Sequence, residues 1–82
     1  MMMIDETTNT LNLIKRFKAL RKEKGWSKES AHTIAICAES KQAVSLFGNK
    51  YNSYAYIIDN MAKYDDAETF IRDLLNTLVP LE

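Results

Sequence analysis

The reading of His32–Lys50, "HTIAICAESKQAVSLFGNK", decides the fold. Two short apolar runs, "HTIAICAES" and "QAVSLFGNK", are separated near Ser40-Lys41. Both contain β-branched residues, and Ile34-Ala35-Ile36-Cys37 is apolar at every position, so either face of a strand here would be apolar. A strand covered on both sides has that composition. Val44 to Phe47 answers it, and together they predict an antiparallel β-hairpin. The competing reading is a helix launched from Ser27, because Ala31, Ile34, Ala35 and Ala38 keep helical spacing. The hairpin is preferred.

On the N-terminal side the pattern predicts a helix from Thr8 to Lys24. Leu13, Ile14, Phe17 and Leu20 share one face, with Leu11 at its edge, and Lys15, Lys18 and Lys22 line the opposite side. Arg21 and Lys24 point toward the apolar edge. Gly25 then stands where a left-handed C-cap belongs, with Trp26 placed to fold back on the last turn.

On the C-terminal side Gly48-Asn49 marks a sharp turn. A third strand could follow, but Tyr54, Ile57, Ile58 and Met61 are spaced i, i+3, i+4, i+7, so helix is preferred, capped by Asn52 or Ser53. The final helix carries Ala67, Phe70, Ile71, Leu74, Leu75 and Leu78 as one stripe stopped by Pro80. Asp65 and Glu68 have capping-box spacing at its start.

The expected fold is therefore α+β, one small domain over 8–80 in the order α-β-β-α-α, with the hairpin packed against helices. Residues 1–7 read as a flexible N-terminus and 81–82 as a possible tag remnant. A lone hairpin leaves two open edges, and pairing two across a two-fold axis points to a homodimer.

The pattern "TIAICAES…QAVSLFGN…YAYIIDNM…FIRDLL", Thr33 to Leu75, resembles small uncharacterised bacterial or phage-associated proteins. The resemblance implies a β-hairpin ending in a glycine turn and leading into two short helices. It implies no active site.

Little in the 82 residues looks chemical. With 46% apolar and 27% charged residues the chain is too apolar for disorder. Glycine occurs only at Gly25 and Gly48, so no phosphate-cradling loop exists and no cofactor is expected. His32 and Cys37, the only residues of their types, would lie on opposite faces of a strand, which argues against a metal site. Cys37 lies within an apolar run, as an inert core thiol does. A single cysteine fits a reducing, cytoplasmic setting, and no apolar run approaches the roughly 18–20 residues that span a bilayer. Asp65 and Asp66 are explained by capping, and nothing places them or Asp59 in a pocket.

Charge is balanced at eleven bases and eleven acids, yet residues 15–28 hold seven bases and one acid while 59–82 hold six acids and two bases. The two ends can face each other or a second copy. Nucleic-acid binding is mainly phosphate neutralisation, and Lys15, Lys18 and Lys22 share one face. A solvated helix back explains those three lysines as well. The expected function is a non-catalytic protein–protein interaction or accessory module that self-associates. Its partner surface is assigned to Tyr56, Tyr64 and the strand edge with Val44, Leu46 and Phe47; nucleic-acid binding through the three lysines is the alternative.

Overall fold

A computed structural model describes residues 6–78, with side chains from Thr8 onward. Five helices follow one another: α1 (Glu6–Lys24), α2 (Lys28–Ala38), α3 (Lys41–Phe47), α4 (Lys50–Met61) and α5 (Ala67–Leu78). Among the described residues there is no strand, so the fold is all-α and the expected α+β class is overturned. The expectations for most of residues 1–7, for Pro80 and for 81–82 lie outside the described residues.

The hairpin fails because its two halves are capped helices. Ser27 accepts the Ser30 N–H at 3.1 Å and starts α2. Ser40 has two roles. Its hydroxyl donates to the Cys37 carbonyl at 2.7 Å, closing α2, and accepts the Ala43 N–H at 3.2 Å, opening α3. Such serine bonds satisfy backbone groups that a helix end would otherwise leave unpaired. Ser40-Lys41 is therefore a helix–helix joint. The apolar run Ile34–Cys37 misleads because a helix cannot bury four consecutive side chains: Ile34 and Cys37 are inside, Ala35 is half-buried, and Ile36 is 58% exposed. With no strand edges, the argument from open edges to a homodimer loses its basis.

The outer elements follow the expected pattern. Gly25 (φ +74°) donates to the Lys22 carbonyl and Trp26 to the Arg21 carbonyl, both at 3.0 Å, the paired bonds of a Schellman cap. Trp26 turns inward, packs on Phe70 with ring centroids 5.7 Å apart, and donates Nε1–H to the Asp65 carbonyl. In α4 the predicted stripe of Tyr54, Ile57, Ile58 and Met61 is buried, but the cap is Asn49, whose side chain accepts the Asn52 N–H at 2.7 Å. Asn52 and Ser53 lie inside the helix and reach back, Asn52 to the Phe47 carbonyl and Ser53 to the Ala38 carbonyl. The cap of α5 falls one residue later than expected. Asp66, rather than Asp65, accepts the Thr69 N–H.

Helix α4 is the centre of the molecule. It packs against α1, α3 and α2, while α5 closes over α2 and α3. The core joins Phe17 of α1, Ile34 and Ala38 of α2, Ala43 of α3, the α4 stripe, and Phe70 and Leu74 of α5. One consequence positions the site. Helices α1 and α2 are each held by α4 or α5 more than by each other, which leaves an opening between them.

Candidate functional site

That opening is a cleft of about 410 Å³ between α1 and α2. Its floor is apolar, made by Phe17, Ala31 and Ala35. Its rim is basic: Lys18, Arg21 and Lys22 from α1, with Lys28 and His32 from α2. Helical periodicity explains the α2 side, since Lys28, Ala31, His32 and Ala35 are spaced i, i+3, i+4, i+7. Two apolar side chains outside the lining are exposed. Ile36 lies one turn beyond His32 on α2, and Leu11, 54% exposed, falls by helical spacing on the side of Lys15, Lys18 and Lys22 rather than at the edge of the apolar face.

The rim cations form no ion pair among the described residues. Among the described residues the ion pair is Lys50–Glu39 at 3.3 Å, away from the cleft, and no carboxylate lines the opening. The acidic C-terminal end does not cover it, because α5 packs on α2 and α3 rather than on α1. The two ends meet through Trp26 on Phe70 and at the α4–α5 turn. There Lys24 donates to the Tyr64 carbonyl at 2.7 Å and lies 5.5 Å from the Trp26 ring. Arg21 is held by its own turn, donating Nη1–H to the Trp26 carbonyl at 3.0 Å.

The expected partner surface is divided. Phe47 and Tyr56 come together, their rings stacked with centroids 4.4 Å apart, and both are half-buried against the core. Tyr56 is therefore a packing residue rather than an outward ring. Tyr64 lies elsewhere, in the turn before α5. Its ring is tilted against Phe70, and its hydroxyl donates to Asp73 at 2.6 Å, a bond that raises the phenol above its usual range. Val44 is half-buried on α3. Leu46 is 55% exposed and borders a second groove, about 480 Å³, with Lys41, Gln42, Thr77 and Leu78. The strand edge proposed to join Val44, Leu46 and Phe47 does not exist, because all three lie on α3. Of the three lysines, Lys18 and Lys22 line the cleft and Lys15 stands one turn away.

Reactive chemistry has little to build on. Cys37 is buried, and desolvation pushes its thiol pKa up, away from the nucleophilic thiolate. His32 and Cys37 are separated because they lie on different sides of one helix, not on opposite faces of a strand. Among the described residues no three of His, Cys, Asp and Glu converge to hold a metal ion. The buried polar side chains are engaged in the fold itself. Ser53, fully buried, bonds the end of α2 at 2.7 Å, and Tyr54 donates to the Glu39 carboxylate at 2.5 Å. That bond lowers the Glu39 pKa, while burial, reinforced by the same carboxylate, raises that of Tyr54.

Comparison with family models, curated proteins and solved structures found no match to this chain. Among the described residues no helix is long and apolar enough to cross a membrane.

The strand assignment concealed the cleft. In a strand from His32, alternation puts His32 and Ala35 on opposite faces, whereas helical spacing puts Lys28, Ala31, His32 and Ala35 on one face. The signal that could have found them was Ser27, an N-cap followed by a periodic apolar set.

Proposed function

We propose that this protein is a small non-catalytic interaction module whose binding face is the α1–α2 cleft. One observation carries the reading: an apolar floor and an unpaired basic rim lie side by side in a concave surface that neither α4 nor α5 covers. Concave apolar sites with a few charged groups at the margin are suited to anchoring one side chain and orienting the rest of a ligand. The engaged polar groups and the buried thiol are consistent with this reading. An accessory or regulatory role, in a reducing cytoplasmic setting, belongs to the same proposal. Self-association would use helical surfaces, with the groove of exposed Leu46 beside Leu78 as its candidate.

Affinity capture from the native host with wild type and Lys18→Glu tests the proposal. A protein retained by wild type and lost from the variant is the expected result. Identical captures from both, or none from either, would refute the cleft as the binding face.

Nucleic-acid binding is the second reading, favoured by the unpaired cations on one side of α1. Phosphate neutralisation requires affinity that falls steeply with salt and does not depend on the apolar floor. Negligible affinity for mixed-sequence DNA and RNA at low salt excludes it.

A further inference from the structure

Within the interaction reading, on which this inference rests, the geometry points to a partner of one chemistry: an acidic amphipathic helical segment of another protein, laid in the α1–α2 cleft. Its apolar residues meet the half-buried Ala31 and Ala35, and its carboxylates face Lys18, Lys22 and Lys28.

Three features select this occupant. Charge complementarity comes first: the rim is basic on both walls, and among the described residues no acidic side chain lies in the opening. A basic or neutral segment would leave that field unanswered, and like charges brought together are repelled. Second, the floor is apolar and narrow. Phe17 is 2% exposed, so its ring is not presented for base stacking, and the alanines of α2 leave room for an aliphatic or aromatic side chain. A nucleic acid offers phosphates to the rim but nothing comparable to the floor. Third, the α2 wall offers Ala31 and Ala35 one turn apart, so two successive turns of an apolar stripe can be received. Helix-in-groove recognition uses apolar anchors at i, i+3 or i+4, and i+7.

The closed alternatives are weaker on the same observations. A second copy of this chain would have to offer the cleft an acidic surface with a prominent apolar knob. On α5 exposed Leu75 shares its side with Glu68 and Arg72, whose charges cancel, while Asp66 and Asp73 lie on another side and are already bonded to Thr69 and Tyr64.

The test uses the full chain, isotopically labelled, titrated at low and physiological salt with four defined probes. These are an acidic amphipathic helical peptide with Leu and Phe anchors, the same peptide with its anchors replaced by Ala, a charge-reversed basic peptide, and a single-stranded oligonucleotide. The acidic amphipathic peptide should bind in the micromolar range and shift amide signals of Lys18, Lys22, Ala31 and Ala35. Removing the anchors should weaken binding about tenfold or more, and Lys18→Glu with Lys22→Glu should do the same. Ala35→Trp, which fills the floor and keeps the charges, should also weaken it; circular dichroism shows which variants remain folded. Equal binding by the anchor-free peptide, tighter binding by the basic peptide or the oligonucleotide, or shifts outside the cleft overturn the inference. So does a concentration-dependent dimer that Lys18→Glu abolishes. If host capture yields a cleft-dependent partner while the acidic peptide does not bind, the partner chemistry is wrong and the interaction reading stands. If neither binds, both fall.

Discussion

Ser53→Ala removes one hydroxyl from the centre of the fold. Ser53 is fully buried, and its Oγ donates to the Ala38 carbonyl at 2.7 Å. Ala38 is the last residue of α2, where carbonyls lack partners within the helix. The bond therefore joins the end of α2 to the first turns of α4, and it exists only if 28–38 is a helix. Alanine is nearly isosteric and introduces no clash, so the loss is that of a buried acceptor left unpaired, about 1–3 kcal/mol. An 82-residue domain has roughly 4–12 kcal/mol in total, so a central value near 2 is a large fraction. With a urea slope of about 1 kcal/mol/M, the midpoint should fall by about 2 M. The assay is equilibrium urea unfolding followed by circular dichroism, with Ser45→Ala on the exposed side of α3 as control. A Ser53→Ala midpoint within about 0.3 M of wild type would refute the α2–α4 junction, because surface substitutions alone produce shifts that small.

Three further tests follow. At exposed Thr33 on α2, Thr33→Ala should stabilise by a few tenths of a kcal/mol because alanine is the better helix former; loss of stability there would favour a strand. Gly25→Ala meets no atom within 4 Å and should cost about 1 kcal/mol of backbone strain, whereas Gly48→Ala, at φ +101° and ψ −38°, should cost more; equal midpoints in urea would contradict the turn geometries. The Tyr54–Glu39 bond makes stability pH-dependent at both ends. Glu39 has a lowered folded pKa, so its contribution is full above the unfolded value of about 4.3 and disappears as pH falls through the folded one. Tyr54 has a raised folded pKa, so its contribution is full below about 10 and is lost as pH rises through the folded value. Tyr54→Phe should therefore differ most from wild type near neutral pH, and a constant difference from pH 3 to pH 7 in urea midpoints would sink the assignment.

Local chemistry was sufficient for much of the chain. Gly25 can take the left-handed conformation that ends α1, and its Schellman bonds need only the last turn of that helix. The α4 and α5 stripes were legible because their spacing matches one face of a helix whatever lies opposite. Cap positions were less so. Asp65 and Asp66, or Asn49, Asn52 and Ser53, are similar enough in chemistry that the surrounding packing selects which one accepts the bond.

Residues 28–47 were the opposite case. Their alanines and the capping serines Ser27 and Ser40 favoured helix, their β-branched residues favoured strand, and the difference between the two is small per residue. What selects helix is long-range: Ile34, Ala38 and Ala43 are fully buried in a core completed by α4 and α5, and the Ser53 hydroxyl waits for a helix end.

By itself the order of residues determined the outer helices, their apolar faces, the glycine stop and the uneven placement of charge, since each depends on neighbours within a turn or two. Tertiary packing alone decided that the middle is helical and that an opening remains between the first two helices. The position of each helix depends on the surfaces it can bury against the others, and no window of local sequence contains those surfaces. An apolar floor beside unanswered lysines is the result, and a single salt-sensitive titration with an anchored acidic peptide decides whether it is used.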